Sequence, residues 1–335
     1  MSGALMSGAP ASGAGRWGLI LGAGGVLGAA WTIGALAALQ QEHGLDARDA
    51  EVLVGTSAGS VLVGALGCGV AVEALLDHQR GVPPDASVPG FDYDLDHDSG
   101  GALPPMPRPG IGSARGVLRT AVRPHRVTPM GALSAVLPQG RGSLEPIGRL
   151  VDGVCPRGAW AGHPATWVVA MDYDSGRRTV FGRDGAPHAG LRSAVMSSCA
   201  IPGWYAPVRI GSRRYVDGGA CSPTSVDVVR PLGLDRLFVL SPMTSLRYDS
   251  PVSVAGRLER RFRRLSTKRV VREVKKVASS GTSVVLLGPT PDDLEAIGAN
   301  LMDPRRRVAV LETSLRTSVE ALRDAARGGS VAAAT

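Results

Sequence analysis

No stretch of this 335-residue chain reaches the roughly 18 consecutive apolar residues that a membrane-spanning helix needs, because glycine, proline or charge interrupts every candidate. Any membrane contact is therefore expected to be peripheral. Cysteine is scarce: Cys68, Cys155, Cys199 and Cys221 show no CxxC pair and no metal-ligand spacing, so reduced thiols in a cytoplasmic protein are expected rather than disulfides or a zinc site. Aromatic residues make up 4% of the chain and there is no nucleic-acid recognition motif, which argues against a nucleic-acid partner. The opening Met1 to Gly15 lacks a cationic start followed by an apolar run, so it does not read as a secretory signal. Residues 1–15 and 324–335 read as structureless tails.

Hydrophobic residues make up 44% of the chain, enough for one large core, and many of the 45 glycines sit in short motifs beside apolar runs. One domain over residues 16–323 is the expectation. Trp17 to Leu21 reads as an apolar strand running into Gly22-Ala-Gly-Gly-Val-Leu-Gly28 and then an Ala-rich helix to about Gln41. Glu51 to Val54 repeats the form, followed by Gly55-Thr-Ser-Ala-Gly59 and a helix through about Gly67. Two such units predict a parallel sheet with helices packed on it. Residues 81–146 break the pattern: prolines and glycines cluster, Phe91 to Asp98 is acidic, and periodicity shows only over Met130 to Leu137. This insertion reads either as a disordered excursion or as a lid over a site. Beyond it come a hairpin from Thr166–Ala170 and Thr179–Gly182, a helix from about Gly190 to Ser198, and strands at Val208–Ile210, Arg214–Val216, Arg236–Leu240 and Ser283–Leu287. Asp292 to Arg323 reads as helix. The fold class is mixed α/β.

Gly55-Thr56-Ser57-Ala58-Gly59 fits G-x-S-x-G, in which serine sits on a tight strand-to-helix turn and the flanking glycines, here Gly55 and Gly59, let the backbone bend. Serine needs a base and a set of donors for the developing oxyanion. All six histidines, His43, His78, His97, His125, His163 and His188, precede the aspartate with a motif, Asp217 in Val216-Asp-Gly-Gly219. The chain order Ser, Asp, His is thus closed to Asp217, although Asp172 or Asp174 with His188 would satisfy it. A carboxylate base solves the problem differently: Asp217 ends a strand and two glycines turn the backbone away from it. It would have to be partly desolvated and bonded directly to serine. Successive glycines at a helix start allow the amides of Gly24, Gly25 and Val26 to act as oxyanion donors. The same loop resembles a dinucleotide-binding turn, but the next strand starts rather than ends with its acidic residue, Glu51, where a ribose partner would be needed.

A glycine loop after the first strand, Gly-Thr-Ser-Ala-Gly after the second and Asp-Gly-Gly far downstream together resemble the patatin-like phospholipase family. Ser197-Ser-Cys-Ala-Ile-Pro-Gly-Trp-Tyr-Ala-Pro-Val208, Tyr215-Val-Asp-Gly-Gly219 with Pro223, and Ile297-Gly-Ala-Asn-Leu-Met-Asp303 extend the likeness, which covers Trp17 to Arg323 apart from the insertion. The resemblance implies a three-layer fold with a mainly parallel central sheet between helices. It also implies a Ser57 nucleophile, an Asp217 base, oxyanion donors at Gly24, Gly25 and Val26, and an acyl-enzyme hydrolysed by water. Its substrate is then a lipid or other carboxylic ester, and neither metal nor cofactor is required. The family loop reads G-G-G-x-R/K-G, whereas here Ala23 replaces the first glycine and Leu27 stands at the basic position.

Residues 257–276 hold ten basic and two acidic side chains, a local excess of +8 that equals the net charge of the whole chain. Leu258, Phe262 and Leu265 share one helical face, and Val270, Val271, Val274 and Val277 share another out of phase with it. Two short amphipathic helices, or one kinked near Ser266-Thr267, are expected. The segment reads as a core-packed helix with a solvated basic side, or as a docking face for an anionic membrane. Three functions stand open: a serine acyl hydrolase, a catalytically silent lipid- or partner-binding protein with this fold, and a nucleotide-dependent oxidoreductase.

Overall fold

The computed structural model describes residues 4–7, 15–82, 106–107, 109–122, 128–247 and 254–327. Its strands are β1 (Ala4–Ser7), β2 (Trp17–Leu21), β3 (Val52–Thr56), β4 (Thr166–Asp172), β5 (Arg178–Phe181), β6 (Val208–Ile210), β7 (Arg213–Asp217), β8 (Arg236–Leu240) and β9 (Ser283–Leu287). They form one sheet in the order β1-β9-β8-β2-β3-β4-β7-β6, with β5 also paired to β4. The run from β9 to β4 is parallel. The strands β1, β5, β6 and β7 pair antiparallel. Every residue of β3, β4 and β9 is buried, as their apolar composition requires of strands covered on both faces.

The helices are α1 (Gly25–His43), α2 (Ala58–Gly67), α3 (Val72–Arg80), α4 (Ala114–Val122), α5 (Pro129–Val136), α6 (Glu145–Val154), α7 (Leu191–Ser198), α8 (Val254–Ala278), α9 (Pro291–Ile297) and α10 (Arg307–Arg327). Side chains alternate along the strands, so each strand feeds two cores. Leu19, Leu21, Phe238 and Leu240 pack with α1, α2 and α10, whereas Ile20, Leu237 and Val239 pack with Val270 and Val277 of α8. The result is a three-layer α/β fold. The chain leaves β2 through α1 to β3 on one side and leaves β8 through α8 to β9 on the other. The carboxyl ends of β2 and β8 therefore flank the switch point at which such sheets leave a crevice.

Several expectations need correction. Ala4–Ser7, part of the segment read as a structureless tail, pairs with Val284–Leu287 and covers the bare edge of β9; residues 1–3 and 8–14 of that tail lie outside the described residues. At the other end, α10 continues to Arg327, past the expected boundary at 323. The helix expected from Asp292 to Arg323 is broken: Gly298 leaves α9 at φ 70°, ψ −161°, and α10 starts only after Pro304. Helices α3, α4 and α6 carry no expectation from the sequence; α4 and α5 lie inside the insertion, whose acidic stretch 91–98 is outside the described residues.

The basic segment forms one helix, α8, and buries an unexpected stripe. Gly256, Arg260, Arg263, Ser266, Val270, Glu273 and Val277 face inward at helical spacing, while Phe262 and Leu265 are 40% and 67% exposed. Buried Arg263 pairs with Glu259 and donates to the carbonyls of Pro242 and Thr244, so the buried charge is paired.

Candidate active site

The register of β4 brings the two motif side chains together. Thr56, the last residue of β3, lies opposite Val169, and Asp217, the last of β7, lies opposite Ala170. Neighbouring positions on one strand thus set the places of Ser57 and Asp217, 160 residues apart in the chain.

Ser57 takes φ 53°, ψ −124°, a conformation that costs a non-glycine residue on the order of 1–3 kcal/mol and has to be imposed by its surroundings. The surroundings are visible. A Cβ at Gly59 would stand 2.0 Å from the Leu21 carbonyl oxygen, so only glycine lets α2 start against β2. The Ser57 amide donates to Ser198 Oγ at 2.8 Å, and that hydroxyl donates to the Val169 carbonyl at 2.6 Å. Ser60 Oγ donates to the Ser57 carbonyl at 2.6 Å.

Ser57 Oγ donates to Asp217 Oδ2 at 2.6 Å, and the Gly219 amide donates to Oδ1 at 2.7 Å. Both side chains are buried. Burial pushes the Asp217 carboxyl up to about 6, and it does so against the Ser57 and Gly219 donors, which stabilise the ionised form. Such a group is still ionised at neutral pH yet holds a proton more readily than an ordinary aspartate, the combination a general base needs.

At the glycine loop, Gly24 is the N-cap of α1 and Gly25 takes φ 62°. The helical ladder begins with the Gly28 amide on the Gly24 carbonyl at 2.9 Å, and the Leu27 amide is taken by the Leu301 carbonyl at 2.9 Å. The amides of Gly24, Gly25 and Val26 precede that ladder, as the first amides of a helix do. Gly25 and Val26 share with Ser57 the wall of an apolar cavity of about 110 Å³, formed also by Ile33, Leu62, Leu150 and Met302. Gly24 and Asp217 do not line the cavity, and Gly24 lies against Pro242. Leu27, at the position where the family loop is basic, is fully buried in the core between sheet and helices.

The sequence left several members of this site unmarked. Ser198 fixes the Ser57 amide, yet a serine at a helix end carries no signal of that role. His78 and Gln79 of α3 also line the cavity. Burial and the nearby Arg307 guanidinium push His78 down to about 4, so its imidazole is neutral at neutral pH. Leu301 and Met302 fall in the Ile297–Asp303 stretch that extended the family likeness. Glu51, the acidic residue of the nucleotide reading, is ion-paired with Arg16 at the opposite end of β3 from the glycine turns.

A three-layer α/β fold with glycine turns at the carboxyl ends of its parallel strands is the class of protein these observations define. A model of the patatin-like phospholipase family matches residues 19–230, and the chain belongs to that family. Its members are lipid acyl hydrolases, and that is the class of activity the chain falls in. The crystal structure of VipD from Legionella pneumophila aligns with 96% of this chain and 70% of its own at 15% identity and a TM-score of 0.41. No curated protein matches the sequence significantly.

Proposed function

We propose that this protein cleaves carboxylic esters of lipids through a Ser57 acyl-enzyme, with Asp217 as general base. The observation that carries the reading is the 2.6 Å bond from a strained serine to a buried carboxylate, beside an apolar cavity whose wall includes two amides at a helix start. Asp217 takes the proton from Ser57 Oγ as that oxygen attacks the ester carbonyl. The oxyanion is met by the amides of Gly25 and Val26, with Gly24 completing the loop, where preorganised donors count most. The intermediate collapses, Asp217 gives its proton to the departing alcohol, and the acyl group remains on Ser57. Water then attacks the acyl carbonyl while Asp217 accepts its proton; the second intermediate collapses, Asp217 returns that proton to Ser57 Oγ, and the carboxylic acid leaves. The apolar cavity suits the acyl chain. Histidine has no part in these steps.

The lipid surface is met by α8. Phe262 and Leu265 project among exposed Arg261, Arg264, Lys268, Arg272, Lys275 and Lys276, an apolar tip in a cationic field. Each such cation adds about 1 kcal/mol of attraction to an anionic leaflet. Among the described residues no helix is long and apolar enough to cross a membrane, so the contact is peripheral.

Fatty-acid release from mixed phosphatidylserine–phosphatidylcholine vesicles tests both parts. Loss of release in Ser57→Ala and in Asp217→Asn is expected, and full activity in Asp217→Asn rules the dyad out. Arg261→Glu with Lys268→Glu should weaken vesicle sedimentation while hydrolysis of a soluble p-nitrophenyl ester persists. Unchanged sedimentation removes α8 as the docking face.

A further inference from the structure

The chain that follows Asp217 folds back over the site. The amides of Cys221 and Ser222 both donate to the Gly218 carbonyl, at 2.9 and 3.1 Å, closing a turn directly on the base. One residue later the Pro223 carbonyl accepts the Ala23 amide at 2.8 Å, so the same turn holds the start of the glycine loop. Ser225 then takes φ 54°, a left-handed conformation in a residue without glycine's freedom, and its amide is held by Ser222 Oγ at 2.9 Å.

One carboxylate secures this segment from outside. Glu273 of α8 is buried, and its Oε2 accepts from Ser222 Oγ at 2.8 Å and from the Val226 amide at 3.1 Å. Its Oε1 accepts from Arg269 Nε at 2.7 Å. The neighbours of Glu273 on the buried stripe, Val270 and Val277, are apolar, and an apolar residue would avoid the desolvation of a charge. The carboxylate sits where its donors come from the turn between Asp217 and the glycine loop. We propose that Glu273 is a positioning residue for the hydrolysis: through Ser222 and Val226 it fixes the 218–226 turn, and with it both Asp217 and the Ala23 end of the glycine loop. The assignment rests on the Ser57–Asp217 reading above.

Asp217 is buried beside that turn, whose Gly219 amide donates to it. The titratable groups facing Asp217 are Cys199 and Tyr205, and burial holds both protonated, the tyrosine up to about 12. The acid limb of the activity profile therefore belongs to Asp217. Around Glu273 stand Arg269, Cys221 and Arg178, the last engaged with Asp227 at 2.7 and 3.0 Å.

The test compares Glu273→Gln, Glu273→Ala and Ser222→Ala with wild type, each checked for folding by its melting transition. A misplaced catalytic group costs roughly 10- to 100-fold, so kcat on a soluble p-nitrophenyl ester should fall by that factor in Glu273→Ala and Ser222→Ala, with KM unchanged. Glu273→Gln, which keeps one acceptor oxygen, should recover part of the loss. The acid limb should move below about 6 in the slowed variants as water reaches Asp217. Folded variants with wild-type kcat and an unmoved limb overturn the proposal, and if Glu273→Ala does not fold, Ser222→Ala decides. Fluorophosphonate labelling of wild type separates the two levels. A labelled, active wild type beside unaffected variants sinks Glu273 alone, whereas an unlabelled, inactive wild type sinks the dyad and Glu273 with it.

Discussion

The turns after β2 and β3 both lead from a buried strand into a helix beside glycines, and each contains one residue in the positive-φ region. At the first turn that residue is Gly25, at φ 62°; at the second it is Ser57, at φ 53°. The first turn offers only backbone amides, so glycine takes the unusual dihedral without strain. The second displays a hydroxyl, so a side chain must sit in the strained position, and Gly55 and Gly59 give way around it. On the proposed reading, one supersecondary unit, used twice, yields two chemistries according to whether its positive-φ position needs a side chain.

Breaking the side-chain half of the comparison should have the largest effect. Ser57→Ala is expected to lower kcat/KM for a p-nitrophenyl ester by about 10³-fold or more. Asp217→Asn should lower it by on the order of 10²- to 10⁴-fold. Next comes the space around the second turn. In Gly59→Ala the new Cβ meets the Leu21 backbone at 2.0 Å, and a backbone cannot step aside as a side-chain tip can, so a melting scan should show loss of the cooperative transition. Gly25→Ala is milder. The left-handed conformation costs about 1–2 kcal/mol and the new Cβ approaches Met302 Sδ at 2.9 Å, so the protein should fold with a lowered melting temperature and reduced kcat.

Asp217 links the comparison to pH. A general base works ionised, so under the proposed mechanism kcat/KM should fall as pH drops through about 6. Its folded pKa lies above the ordinary aspartate value, so its protonation favours the folded state, and this contribution is lost as pH rises through about 6. Asp217→Asn should therefore remove that dependence and be more stable than wild type at pH 8, by about 1–3 kcal/mol. Denaturant midpoints at pH 5 and pH 8 measure it. The smallest effect belongs to His78→Gln, which should leave the acid limb in place and cost far less than the roughly 10²-fold expected on removing a general base. A larger loss makes His78 part of the proton path.

Much of the candidate site is written locally. The turns at Gly22–Gly28 and Gly55–Gly59, and the Asp-Gly-Gly after β7, each announce themselves within a few residues. Their meeting is a matter of sheet register, and only the pairing of Thr56 and Asp217 to adjacent β4 residues makes it visible. Helix α8 shows the opposite case. Its periodicity sets Phe262 and Leu265 inward, but the partners that justify burying Arg263 and Glu273, the carbonyls at 242 and 244 and the donors at 222 and 226, come from loops remote in sequence. The break at Gly298 hides inside a segment whose two halves are each good helix.

The central claim is that Ser57 is a nucleophile activated by Asp217, and the rate of fluorophosphonate labelling as a function of pH, with the modified peptide identified by mass spectrometry, tests it most directly. Labelling confined to Ser57, with a rate that rises through a midpoint near the Asp217 value of about 6 and collapses in Asp217→Asn, is the predicted result. Modification at another residue, or an Asp217→Asn protein labelled on Ser57 at the wild-type rate, contradicts it.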